Sequence, residues 1–321
     1  MDPLSTCLAL MLSLALDWLV GNPAVRMAPA RALGRWLAWV GMRIAPRAAA
    51  DDPQRTDWRA FAAGALAWYA GAVLLLVPAV LLQRLLAVMP MPLAAALAAL
   101  LVWPLLAWRG PGRDALALEA ALSRSLAAGR QALARQWPHP VMTLDATQVR
   151  EAGLQTLARR HADELVAPVL CFTVGGLPAL LLLAYARAAD AAWGHPGVRG
   201  GLYWRWTGRW AAGADRLLRW LPARVAGAVL LAVAGGRMPL AHTQREAQAS
   251  GATTGGWPVA ALALALQRRL GRPGGPVFNR DAGPVTAEDL PRAVVLTDWS
   301  LAVLLAGVGT TLLLMNALLT R

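Results

Sequence analysis

The sequence predicts an all-α, polytopic integral membrane protein with re-entrant or broken central helices. Three observations carry that prediction. Of its 321 residues, 57% are hydrophobic and only 15% are charged, against roughly 45–50% apolar and about 25% charged in soluble domains. Apolar runs of near-spanning length recur along the chain. Strand-like alternation is nearly absent. The same composition excludes a disordered chain, a coiled coil and a secreted disulfide mini-protein.

The elements follow in chain order. Leu4–Val20 is a short first span. No basic region precedes it and Asp17 interrupts its far end, so it reads as a retained span rather than a signal peptide. Phe61–Leu82 is long enough for the hydrocarbon core, which needs about 20 residues. Leu93–Trp108 follows Pro92 and contains Pro104. Trp299–Leu319 is the clearest span and carries no charge. Two middle stretches differ. Val166–Ala186 is interrupted by Gly175-Gly176-Leu177-Pro178, and Leu221–Gly236 contains Arg224. Broken or charged apolar segments line a protein interior or cavity more readily than they face lipid.

Charge sets the expected topology. The chain has 31 basic and 18 acidic residues, a net +13, and every basic residue is arginine. Arginine concentrates in 22–60, 109–164, 187–220 and 237–298. Arginine-rich loops stay cytoplasmic. All four segments share one side if the chain crosses at about 4–20, 61–82, 93–108 and 299–319 while 166–186 and 221–236 only dip in. This gives a single membrane domain over 1–321, with both termini outside and a cytoplasmic-side helical region at 109–298. A bacterial inner membrane is the expected location. Nucleic-acid binding is not expected, because no aromatic-basic platform or binding motif is present.

Within 109–298, Asp114–Arg135 has amphipathic helical spacing and is stopped by Trp137-Pro138-His139-Pro140. Asp145 is placed to cap a helix running to about Arg160. Segment 271–291, rich in glycine and proline, reads as an irregular loop. Cys7 and Cys171 lie in apolar runs without a Cys-x-x-Cys partner, so both read as core residues. The four histidines form no metal-binding spacing.

Four patches stand out. Asp17 ends a span and precedes Gly21-Asn22-Pro23, either as a functional mouth or as an interfacial turn. Asp163-Glu164 is able to hold Mg²⁺ through one of its two carboxylates, since neighbours on a helix face different ways; the alternative is a solvated helix end. Asp190, Gly194, Asp215, Arg216, Arg219 and Arg224 lie among Trp204, Trp206, Trp210 and Trp220. Arginine suits phosphate or carboxylate, and Arg with Trp also marks a membrane-interface belt. Gly251-Ala252-Thr253-Thr254-Gly255-Gly256-Trp257 is a polar loop able to lie near a phosphate.

In order and spacing these patches resemble the CobD/CbiB family of membrane proteins of cobalamin biosynthesis. The resemblance runs through Asp17, Gly21, Pro23, Pro29, Gly34 and Arg35, then Asp163, Ala167-Pro168 and Gly175-Gly176. It continues through Asp190, Gly194, Asp215 and Leu221–Arg224 to Trp257, Leu270 and Gly271. It implies ATP-dependent amide-bond formation joining adenosylcobyric acid to aminopropanol or its phosphate, with ATP and Mg²⁺. It assigns catalysis to Asp17, Asp163, Asp190 and Asp215, with Asp163 and Asp190 as metal ligands. Apart from the resemblance, the chain's own arginines Arg35, Arg159, Arg160, Arg187, Arg216, Arg219 and Arg224 are the candidates for binding an anion, since guanidinium suits phosphate and carboxylate.

The family pattern is altered at polar positions. Asn22 replaces an acid, and Ala28 replaces a histidine before Pro29. Gln155, Arg159 and Arg160 stand in a Glu-x-x-x-Glu-Asn run. Arg187, Arg216 and Arg219 replace amides or an acid. Ala252-Thr253-Thr254 and Val259 replace polar residues around Trp257. Such loss is similar to AmpE, a sensor-like relative. A non-catalytic sensor or binder of an anionic small molecule is therefore the alternative expectation.

Overall fold

The structure is a computed structural model that describes residues 2–22, 28–47, 57–236, 240–249 and 255–319. Pro23 and Ala252–Thr254 lie outside the described residues. The chain forms twelve α-helices among the described residues: α1 Pro3–Val20, α2 Ala28–Ile44, α3 Trp58–Ala87, α4 Met91–Val102, α5 Arg109–Leu122, α6 Leu126–Ala134, α7 Ala146–Arg160, α8 Ala167–Ala189, α9 Arg209–Val233, α10 Leu240–Ala249, α11 Gly256–Leu266 and α12 Asp289–Leu319. Among the described residues the paired strands are β1 Val198–Arg199 and β2 Leu202–Tyr203, antiparallel, with Val198 opposite Tyr203.

Among the described residues five helical stretches are long and apolar enough to cross a membrane: Pro3–Val20, Trp58–Ala87, Met91–Leu122, Ala146–Gly194 and Asp289–Leu318. Four contain the runs that the sequence singles out. The fifth contains Val166–Ala186, so length and composition admit a crossing where the arginine distribution suggests only a dip. Exposed Leu66, Val73, Leu74, Val77 and Leu81 cover α3, and Val303, Leu313, Leu314 and Leu318 cover α12. Apolar faces of this extent are costly in water and suit lipid. The chain is an all-α integral membrane protein.

The described residues form two compact units. The first comprises Met1–Ser13, Asn22–Leu105 and Cys171–Arg219. Its core gathers Leu37, Trp68, Tyr185, Ala189, Trp193 and Trp204. Two of the buried aromatics satisfy their polar ends: the Tyr185 hydroxyl donates to the Trp68 carbonyl at 3.0 Å, and Trp193 Nε1 donates to the Leu37 carbonyl at 2.9 Å. The expected break in the central helix is present in α8. Gly176 adopts φ 63° and ψ −150°, a conformation open to glycine, and Pro178 has no N–H to continue the ladder. Gln83 of α3 repairs the gap, its Oε1 accepting from Leu177 N at 2.8 Å.

The second unit comprises Leu14–Gly21, Leu106–Leu170 and Trp220–Arg321. Leu118, Leu154, Leu157, Leu262, Phe278 and Leu290 are among its core residues. Asp145 caps α7 as expected, in a capping box with Gln148. The expected single helix over 114–135 is two. Ser125 is extended and its side chain accepts from Ala128 N at 3.1 Å, so it starts α6; a local cap competes with helix continuation. Helix α5 begins at Arg109 rather than Asp114, because Asp17 Oδ2 accepts from Trp108 N at 3.0 Å and Arg109 N at 3.1 Å. Between α7 and α8, His161–Val166 forms a π-turn. Such a turn displaces the backbone ladder, and the Glu164 carbonyl accepts from Ala107 N at 2.9 Å. The irregular segment after α11 is fastened to α7: Gly271 N donates to Glu151 Oε2 at 3.1 Å, and Gln155 Nε2 donates to the Gly271 carbonyl at 2.7 Å.

Candidate functional site

The second unit holds a cleft of about 460 Å³, lined by Asp114, Arg135, Gln136, Trp137, Pro138, Thr156, Arg159, Arg160 and Glu164. Each wall has a local origin. Asp114 comes from the first turns of α5. Arg135 to Pro138 follow α6, where proline ends the helix. Thr156, Arg159 and Arg160 form the last turn of α7, one face repeating at helical spacing, and Glu164 comes from the π-turn.

Arg160 braces the two acids of this cleft. Its Nε donates to Glu164 at 3.0 and 3.1 Å, and its Nη1 donates to Asp114 Oδ2 at 2.5 Å. The lining carries three arginines and two carboxylates, 3 − 2 = +1 in formal charge. Beside Arg160, the lining carries two further guanidinium groups, Arg135 and Arg159. Arg159 Nε lies 3.9 Å from where a Cβ on Gly255 would stand, so it sits at the foot of α11. The rim continues to His139, whose ring meets Trp137 edge-on at 5.4 Å. Arg272 Nη1 donates to His139 Nε2. Arginine can only donate, so that nitrogen accepts and the imidazole is neutral. Burial, then the cations Arg272 and Arg159, push the His139 pKa below its usual value.

The residues that the sequence singles out fall in both units. Asp17 and Asp163 belong to the second, Asp190 and Asp215 to the first. Asp17 is fully buried and spent on the start of α5, while its Oδ1 has no hydrogen-bond partner among the described residues. Asp163 is half-buried on the π-turn; the cleft is lined by its neighbour Glu164. Asp190 is half-buried, with Oδ1 against Gly194. Asp215 is buried and paired with Arg219, one helical turn on. Among the described residues no three His, Cys, Asp or Glu side chains gather as a metal site.

Of the arginines, Arg159 and Arg160 meet in the cleft. Arg35 and Arg216 are exposed, and Arg187 is half-buried at the end of α8, where a cation suits the helix dipole. Arg224 packs on Trp220 and Trp257. The cleft residues Asp114, Arg135, Trp137 and Glu164 are additional to the expected set. Glu164 had a signal in the adjacent pair Asp163-Glu164; Asp114 meets Arg160 across 46 residues of sequence, which no local pattern encodes.

A model of the CobD/Cbib protein family matches residues 10–297 of the chain. Curated relatives named "Cobalamin biosynthesis protein CobD" include one from Brucella melitensis biotype 1, 34% identical over 181 residues, covering 51% of this chain and 54% of the relative. One from Sinorhizobium fredii is 31% identical over 192 residues, covering 54% and 57%. One from Halalkalibacterium halodurans is 30% identical over 134 residues, covering 40% and 41%. The matched part thus spans about half the length of the first two relatives. No solved structure gives a significant match.

Proposed function

The chain belongs to the CobD/CbiB family, and from that premise we propose that it acts in cobalamin biosynthesis, at the bacterial inner membrane, in amide-bond formation. The reaction joins the propionate carboxylate of adenosylcobyric acid to aminopropanol or its phosphate, with ATP as the activating substrate. The observation that carries this reading is the cleft of the second unit, where Arg135 and Arg159 stand beside the braced Arg160. The propionate carboxylate and the phosphates of ATP are anions. Guanidinium groups bind such anions through paired, charge-assisted hydrogen bonds. Activation of a carboxylate gathers negative charge at the reacting centre, and fixed cations stabilise it.

Mg²⁺ does not fit this cleft. Its two carboxylates, Asp114 and Glu164, are both engaged by Arg160, and Mg²⁺ needs free hard oxygen ligands. The positive charge comes from arginine here. This bracing also favours a second reading, in which the fold binds an anionic corrinoid or related ligand without turnover, as a sensor.

One assay separates the two. Purified protein is incubated with adenosylcobyric acid, aminopropanol or its phosphate, and ATP, with and without Mg²⁺, and the amide product is followed by mass spectrometry. Product that is lost in Arg135→Gln supports the synthase. Ligand binding without product, weakened about tenfold or more by Arg159→Gln, supports the sensor. Neither product nor binding overturns both.

A further inference from the structure

Arg224 lies outside the cleft and is in an unusual setting. Helix α9 approaches α11 closely at Gly227, where a Cβ would sit 3.4 Å from Ala261 Cβ and 3.5 Å from Trp257 Cε3. That approach brings the Trp257 ring centroid to 5.0 Å from the Arg224 guanidinium, while Trp220, one turn earlier, has its ring centroid at 3.8 Å. Nη1 donates to the Trp220 carbonyl at 3.0 Å. Among the described residues Arg224 makes no ion pair, in contrast to Arg150, Arg160 and Arg219. Indole faces hold a cation by attraction to the ring and leave its in-plane N–H edges for an anion. Beside it, Trp220 is 49% exposed and Leu221 57% exposed. An exposed tryptophan and leucine next to an oriented cation form an apolar-to-polar boundary of the kind found where protein meets lipid headgroups.

We propose that Arg224, held against Trp220 and Trp257, is a binding site for the phosphate of an anionic phospholipid headgroup. The guanidinium edge takes the phosphate oxygens, and Trp220 and Leu221 take the first part of the acyl chains. A free phosphate needs only the cation; the exposed apolar rim is what selects the lipid.

The test uses the full chain, delipidated in detergent and titrated by native mass spectrometry with phosphatidylglycerol, with phosphatidylcholine and with inorganic phosphate as competitor. One phosphatidylglycerol is expected to bind saturably, about tenfold more tightly than phosphatidylcholine. Arg224→Gln removes that preference, while Arg124→Gln, at an exposed arginine between α5 and α6, leaves it intact. Arg224→Lys keeps the charge but loses the planar donors, and Trp220→Leu keeps Arg224 but loses the ring; each weakens binding several-fold at unchanged melting temperature. Equal phosphatidylglycerol binding by the wild type, Arg224→Lys and Trp220→Leu overturns the site. So does displacement of the lipid by millimolar phosphate with no preference between the two lipids, which would mark a free-anion site.

Discussion

Replacing Arg160 with methionine is expected to change which ion the cleft accepts. In the wild type, Nε and Nη1 of Arg160 reach Glu164 at 3.0 Å and Asp114 at 2.5 Å, so both acids lie within reach of one cation. Arg160→Met removes that cation and keeps an apolar stem, and the formal charge of the lining falls from +1 to 2 − 2 = 0. Asp114 is half exposed and Glu164 partly so, and exposed pairs are worth little, so the loss of fold stability is about 1 kcal/mol. The effect on a bound anion is larger. One unit charge removed at about 6 Å, at an effective dielectric near 20 and screened by salt, weakens anion binding by about 1–2 kcal/mol, roughly 5- to 30-fold. The freed carboxylates gain affinity for Mg²⁺. Calorimetry with pyrophosphate and, separately, with MgCl₂ reads both changes. Submillimolar Mg²⁺ binding by the wild type, or an Arg160→Met protein unchanged toward both ions, refutes the bracing argument.

Three further outcomes follow from the geometry. His139 has a folded-state pKa below its usual value near 6.5, so its contribution to stability is complete above that pH and is lost as pH falls below it. His139→Gln is expected to flatten a melting-temperature profile between about pH 7 and 5, and an unchanged slope would remove His139 as the cause. Gly176→Ala places a methyl group 2.1 Å from Gln83 Oε1 at a φ of 63°, and the loss is about 1–3 kcal/mol in detergent melts; a neutral result would mean that the α8 break relaxes freely. Ser125→Cys, in the arginine-rich segment 109–164, is expected to react with impermeant maleimide only from the cytoplasmic side, and labelling from outside in intact cells refutes the topology.

What the sequence discloses here is what acts locally. The Asp145–Gln148 cap and the Gly175–Pro178 break are written in neighbouring residues, and both are present. The separation of α5 from α6 was also local, but helical periodicity across Ser123–Ser125 masked the cap at Ser125. Asp17 shows the other limit. Its type and place at the end of an apolar run mark it as special, yet its partners, Trp108 N and Arg109 N, are 91 and 92 residues away. Spacing rules excluded joint use of Asp163 and Glu164. Which of the two lines the cleft depends on the π-turn and on Asp114 and Arg160 meeting across 46 residues, and neither can be read from one segment.

The turn at His161–Val166 also bears on how this chain tolerates length changes. A π-turn holds one residue more than the α-helix on either side would need, so it behaves as a fixed insertion. Deleting a single residue there would let the ladder close into a regular α-helix, with the flanking helices kept in phase but the bulge that carries Glu164 removed. Glu164 would lose both its side-chain contact with Arg160 and the carbonyl position that receives Ala107 N. Point substitutions at Ala162 or Leu165 would leave that bulge intact. Reading-frame-preserving indels should therefore be far less tolerated across these six positions than in the segment between α11 and α12, where no such bulge has to be kept.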